Sequence, residues 1–546
     1  MTRNESSLAG MVAVSFIIGV VGLALFIVGI GVLSPAAAQG LAYSLLVATP
    51  SIPIGLGIGG ALIFAGAAID TFAGDNSVLT GTPLAILGVL VVVLLGVLVG
   101  PFVGGLYMKS DMSDDVDAEK LNTLPKADQN HTRVMPRAVA DKNARNSMRS
   151  PRYNLGESDI TYYNGSYHWS YPKKPDGIAN SLTRKQDGMK LVGIDSTTTA
   201  PKSVSGEFDR GIGMGWYDSA QNAYAMDLGL KGSRATGTSF QLYTDDGMYN
   251  AQSYITHEWR FRAGPIPMVY AVPQMGGVQM LDQDGSVETL SHEEAVQDER
   301  LKGQNFYPYY LAKLKMTTQA YQHGWLNTVF GHKDQLVLAD TPAPDNDQPF
   351  VQFTEQADHP MYTILAEPWG SSTNGIYEVW LIDGQTGQAY EYNPDADGGL
   401  IGPARAAEEI RGQAPNNNWG SGGNIQVSEV HTVFRNGTMW YKGSVVTTDN
   451  SYSYTAFVNA ETKEVYTYKE DKEVIGFANG NVSPEEVVQS TENQSNDGSS
   501  GPIDSSGMVV LVTDENGNVV DTVEVSANQS VTVQTGNSTS AATAGA

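Results

Sequence analysis

The distribution of charge is the feature that most constrains this chain. The 546 residues contain 33 Lys+Arg and 59 Asp+Glu, yet the first 107 positions hold only Arg3, Glu5, Asp70 and Asp75. A charged side chain is costly in hydrocarbon, so a segment this poor in charge suits a bilayer. Residues 11–33 and 84–107 are each long enough to cross one, because about 20 apolar residues span the core. Residues 41–69 are also apolar but are interrupted by Pro50 and Pro53, which places a second span near 54–69. The expectation is an α-helical transmembrane anchor of about three spans over 1–107.

Three patterns inside the anchor have competing readings. Gly55, Gly57 and Gly60 fit G-x-G-x-x-G, but the soluble strand–turn–helix that a nucleotide site requires is missing. Small residues that let helices approach are the better account, and the same holds for Gly96, Gly100 and Gly104, spaced four apart. Residues 34–39 (SPAAAQ) contain an Ala-x-Ala pattern that would allow signal-peptidase cleavage after Ala38. The apolar run before it is about 23 residues, longer than the usual 7–15, which favours a retained span.

Signals for orientation conflict. Lys109, Lys120 and Lys126 follow the last span and only Arg3 precedes the first, which leans toward a cytoplasmic bulk. Asn-x-Ser/Thr sequons at Asn130, Asn164, Asn436, Asn481, Asn493, Asn528 and Asn537 lean the other way. Together with the Ser/Thr/Ala-rich end, they place the large C-terminal part outside.

Beyond the anchor, residues 108–150 are polar, acidic at the start and rich in breakers, and read as a stalk. Residues 151–480 show short aromatic and β-branched runs between Gly, Asn and Asp clusters, for example 239–243, 268–272, 335–338, 376–382 and 453–458. Helices are expected at 291–301, 308–319 and 403–411. Ser291 followed by Glu294 makes a capping box, and Pro403 suits a first turn. The fold class expected is α+β, a mostly antiparallel β ectodomain with a few packed helices. Residues 484–507 are too poor in apolar groups to order themselves. Residues 508–533 read as a small β unit and 534–546 as a flexible tail.

A local pattern recurs. Asp282–Ser286, Asp383–Gly387 and Asn459–Lys463 each put a polar turn between two strand-like segments, and a fourth turn falls at 514–518. Asp or Asn opens each turn because its side chain bonds the backbone two residues on, while Gly supplies positive φ. The second and third copies, D/N-x-x-T-G/K-x-(apolar)-Y, resemble the hairpin of PepSY-type modules over about 20 residues each. That resemblance implies a curved sheet with a packed helix in an extracytoplasmic setting; some such modules inhibit or chaperone proteases.

Chemical motifs are sparse. With no cysteine, disulfides and thiolate sites are excluded. The eight histidines form no H-E-x-x-H, and neither G-x-S-x-G nor a P-loop is present. His323 and His332 are close enough to converge across a turn, but catalytic zinc needs three protein ligands. Asn393, Asp395 and Asp397, followed by Gly398, match the first half of a calcium loop. Ala404, at its twelfth position, lacks the required carboxylate, so this is a weak calcium candidate beside the plainer reading of a solvated turn. Asp282, Asp284, Asp345 and Asp347 invite the same thought. Aromatics cluster over 153–171 and at Tyr307, Tyr309 and Tyr310, which suits either core packing or a glycan or protein surface.

The net charge of -26 disfavours nucleic acid as a partner. A broad acidic excess fits a surface adapted to concentrated salt. In overall type the chain resembles membrane-anchored surface proteins of halophilic archaea or their viruses. The function expected is structural, adhesive or assembly-related in a cell or viral envelope, and more readily non-enzymatic. The partners expected are membrane lipid, further copies through the spans, and a surface protein or glycan. A membrane-anchored hydrolase or protease-regulating protein is the alternative.

Overall fold

A computed structural model describes residues 21–22, 25–48, 100–263, 267–342, 347–370, 375–394, 399–420, 422–482, 507–513, 519–526, 530–535 and 538–543. The span expected at 54–69, and most of those at 11–33 and 84–107, lie outside the described residues, as do Gly55–Gly60. Among the described residues, no helix is long and apolar enough to cross a membrane. The chain divides into two units, 1–481 and 482–546.

The larger unit is α+β with mostly antiparallel sheets. Strand β1 (Ala118–Leu121) comes first. β2 (Tyr153–Leu155), β3 (Asp159–Tyr163), β4 (Ser166–Pro175), β5 (Gln186–Gly193) and β6 (Lys202–Phe208) make one sheet. β7 (Ser233–Thr244), β8 (Gly247–Arg262), β9 (Met268–Leu281) and β10 (Val287–Ser291) make a second, in the order β10-β9-β8-β7. The central sheet takes β11 (Leu336–Leu338), β12 (Phe350–Gln352), β13 (Met361–Pro368), β15 (Glu378–Asp383) and β16 (Ala389–Tyr392), and β1 pairs with β16 in parallel. The short strands β14 (Gly375–Ile376) and β17 (Leu400–Ile401) pair with each other. β18 (Ile425–Arg435), β19 (Thr438–Thr447), β20 (Tyr452–Asn459) and β21 (Val465–Tyr468) form a meander.

The central sheet is covered on both faces, which explains why β13 and β15 read as continuous apolar runs rather than alternating ones. Val379 and Leu381 join a core with Ala406, Ala407 and Ile410 of helix Pro403–Gly412 and with Val430, Tyr441 and Val458 of the meander. Trp380 and Ile382, one residue out of step, face Leu311 and Ala312 of helix Tyr309–Thr317 and Tyr107 of helix 100–115. The expected helices are present: Ser291 and Glu294 form their capping box, and Pro403 opens its helix.

Residues 108–150, expected as a stalk, are folded into the unit. Met112, Val134, Met135, Ala140 and Ala144 are buried, β1 sits in the central sheet, and helix Arg137–Asn146 covers β4 and β5. A few well-spaced apolar residues suffice to bury a segment whose average composition is polar. Helix Pro35–Tyr43, where the Ala-x-Ala pattern lies, docks on helix Ala220–Leu228: Asn222 Oδ1 accepts from Ser34 Oγ at 3.2 Å and Ala36 N at 3.0 Å. Among the described residues, Gly104 makes its close approach to strand β9, since a Cβ there would lie 3.4 Å from Met268 Sδ.

The smaller unit holds two hairpins, β22 (Gly507–Thr513) with β23 (Val519–Ser526), and β24 (Ser530–Thr535) with β25 (Ser538–Thr543). The tail expected to be flexible thus contributes a strand. The linker expected at 484–507 lies outside the described residues except for Gly507.

Candidate functional site

A cleft of about 790 Å³ opens where loops from three sheets meet. The β3–β4 turn brings Asn164, the β7–β8 turn brings Asp245 and Asp246, and the central sheet's approach brings Glu355 and Asp358. Asn164-Gly165 is a two-residue hairpin turn, and both residues take the positive φ that such turns require. Gln304 fixes the wall like an extra peptide group: it accepts from Tyr162 N at 3.1 Å and donates to Tyr162 O at 2.8 Å.

His131 forms an acid–histidine pair with Asp128 in the wall of the cleft. Its Nδ1 lies 2.5 Å from Asp128 Oδ2, and its ring meets Tyr167 edge-on at 4.8 Å. The carboxylate holds the Nδ1 side of the ring and so fixes its orientation. Tyr162 and Tyr243 supply aromatic surface beside Asn130, Thr244, Asp245 and Asp358. Arg300 lines the cleft but is engaged by Asp298 and by Glu288 at 2.8 Å, so it contributes a wall more than a free charge.

Two other ionic groups are buried. His359 sits between Asp358 and Asp383, each 3.0 Å away. Burial would lower the imidazole and raise the Asp383 carboxyl, but their pairing prevails: His359 is raised, and Asp383 is held down at about 2 with help from the amides of Gln385 and Thr386. Beneath the meander, Arg133 NH2 lies 3.0 Å from His431 Nδ1 and 3.6 Å from Glu429. Burial, then the nearby Arg133, lowers Lys442 to about 7; burial holds His431 well below its ordinary value. Both are nearly inaccessible, which suits a structural knot between 127–135 and β18–β19.

The residues singled out in sequence are dispersed. Asp395 and Asp397 lie outside the described residues, while Asn393 Nδ2 donates to Glu391 at 2.7 Å. Among the described residues, no group of three His, Cys, Asp or Glu side chains is placed to hold a metal. Asp282 caps its own turn through Ser286 N at 2.9 Å, and Asp347 pairs with Lys313. His323 and His332 do not converge: His332 stacks on Trp369 at 3.7 Å, whereas His323 faces Asp334. Tyr167, Trp169, Tyr171 and Tyr307 are core residues; Tyr162 turns toward the cleft. The Asp128/His131 spacing is local and visible in sequence, but nothing there distinguishes it from the chain's other acid–histidine neighbours. No protein-family model, curated protein or solved structure matches the chain.

Proposed function

We propose that this chain is a membrane-anchored surface protein whose α+β body lies outside the membrane and serves envelope structure, adhesion or assembly, in a cell or a virus. The observation that carries this reading is helix 25–33. Leu25, Phe26, Val28, Val32 and Leu33 are each more than half exposed, and so many apolar side chains on one short helix call for surroundings other than water. Helix Pro35–Tyr43 follows at once and ties this element to the body. The uncharged sequence of 84–99 leads into helix 100–115 in the same way. The sequons at Asn130, Asn164 and Asn436 are on exposed loops, where an extracytoplasmic enzyme could reach them, and the acidic surface suits high salt. Membrane lipid and further copies are partners through the anchor, and a surface protein or glycan through the body. Protease shaving of intact cells or particles tests it: peptides from 120–481 should be released while fragments of 1–107 resist alkaline extraction. Protection of the body under conditions that digest known surface proteins would refute it.

The second reading, an anchored hydrolase or protease-regulating protein, draws support from Asp128–His131 in an open cleft with aromatic and carboxylate walls. An activity toward glycosides or peptides that is lost in His131→Ala, with folding intact, would establish it.

A further inference from the structure

The pairing of β8 with β9 continues after their neighbours have stopped. β7 ends its pairing at Ser233 with Ile255, and β10 ends at Ser291 with Gly277. From Thr256 to Arg262, and from Met268 to Gln274, the two strands pair only with each other. They form a two-stranded ribbon that continues beyond the rest of the sheet and has Arg262 and Met268 as the pair at its tip.

The two faces of the ribbon differ. Successive side chains alternate between faces, and directly opposed residues share one. Arg260 and Arg262, with Tyr270 and Met268 across from them, face helix 100–115. Arg262 lies 3.1 Å from Asp111, Arg260 lies 2.6 Å from Asp115, and Arg262 caps the Tyr107 ring at 5.2 Å. Every charge on that face is matched. The opposite face carries His257, Trp259 and Phe261. His257 lies 3.4 Å from the Tyr43 hydroxyl, but Trp259 is 50% and Phe261 66% exposed.

The direction of helix 100–115 identifies what this face meets. The helix passes Arg260 at Asp115, Arg262 at Asp111 and Met268 at Gly104, so its beginning points past the ribbon tip. The sequence before it, 84–99, is uncharged. A bilayer core takes about 20 residues of helix, and that length counted from Leu84 ends at Val103, beside Gly104. The hydrocarbon would therefore end level with the ribbon tip, where Phe102 is also exposed. Trp and other aromatic rings at such a level are the side chains that favour the headgroup layer.

We propose that the end of the β8–β9 ribbon is a second membrane contact: Trp259 and Phe261 lie in the headgroup layer of the bilayer that holds the anchor. This rests on the anchor reading above and adds a fixed orientation of the body, since one contact through a helix and another through a ribbon prevent free rotation about the helix axis.

The chain has no cysteine, so single cysteines can be labelled without background. Full-length Phe261→Cys and Trp259→Cys, with Leu182→Cys as a solvent control, are spin-labelled and reconstituted in phosphatidylcholine/phosphatidylglycerol vesicles. The expected result is labels at 261 and 259 that collide more with oxygen than with a water-soluble nickel chelate, and the reverse at 182. If either ribbon variant fails to fold, the other carries the measurement. Labels that report water while the chain resists alkaline extraction would overturn the ribbon contact and leave the anchor standing. Release of the chain by extraction would remove both. Dipolar broadening between labels, without oxygen access, would assign the face to a second copy and overturn the lipid contact.

Discussion

Two hairpins in this molecule have nearly the same turn and opposite surroundings. In β15–β16, Asp383 Oδ1 accepts from Gln385 N at 2.9 Å and Thr386 N at 2.7 Å; in β20–β21, Asn459 Oδ1 accepts from Glu461 N at 2.8 Å and Thr462 N at 3.0 Å. Gly387 N reaches Asp383 O at 3.1 Å, and Lys463 N reaches Asn459 O at 3.0 Å. Gly387 has φ +73° and Lys463 φ +66°. Yet the first turn is lodged inside the body: Gly384 O accepts the amides of Phe306 and Tyr307, and the Gln385 side chain donates to Leu301 O and Gln304 O. Residues 461–464 of the second are exposed. Local turn chemistry therefore fixes the shape of a hairpin and says little about what the hairpin holds together.

The largest expected contrast is at the first turn position. Asp383→Ala leaves the Nε2 side of His359 and two amides without their carboxylate in a buried place and should cost about 3–5 kcal/mol, whereas Asn459→Ala should cost about 1 kcal/mol. Urea unfolding followed by circular dichroism measures both, and equal losses would show that burial of the Asp383 turn does not matter. Next is the positive-φ position. A Cβ on Gly387 would lie 2.1 Å from the Tyr307 ring, so Gly387→Ala should cost about 2–4 kcal/mol, against less than about 0.5 for Lys463→Ala.

Only the buried hairpin should respond to pH. Asp383 is held at about 2, below its ordinary 3.8, so its contribution is complete above that ordinary value and is lost as pH falls through the lowered one. His359 is raised above 6.5, so its contribution is complete below that pH and is lost as pH rises through the raised value. The pair should stabilise the body most between about pH 4 and 6.5, by about 2 kcal/mol relative to Asp383→Asn. A stability difference between wild type and Asp383→Asn that stays constant from pH 2 to 8 would refute this. The smallest effect is a gain: Lys463→Gly relieves a left-handed residue without touching a neighbour and should add up to about 1 kcal/mol.

Both turns were readable in sequence because their signal is contained in five residues. Asp or Asn, then Thr, then a residue tolerant of positive φ is enough. The contact of Gly387 with Tyr307 was not readable, since it joins positions 80 apart. The same separation explains the rest. The α+β class, the Ser291–Glu294 cap and the helix at Pro403 follow from local patterns. The parallel pairing of β1 with β16 joins residues 271 apart, such as Ala118 and Ala389, and a polar average over 108–150 concealed it. The cleft is assembled from loops of three sheets, and only its Asp128–His131 pair is local. The glycines at 96, 100 and 104 illustrate a third case. Their spacing signalled close approach, and at Gly104 the approach is made, but to a strand.

The small pocket beside the β8–β9 ribbon is lined by both Val47 and Gly100. Val47 and Gly100, 53 positions apart in sequence, thus lie at one place in the body. In terms of connectivity, whatever joins two neighbouring positions can lengthen cheaply, since each doubling of a loop costs only about 0.6 kcal/mol more. The number of residues between positions 48 and 100 can change without moving any strand register described for the body. The strand pairings of the body and the residues between 48 and 100 can therefore change at separate rates.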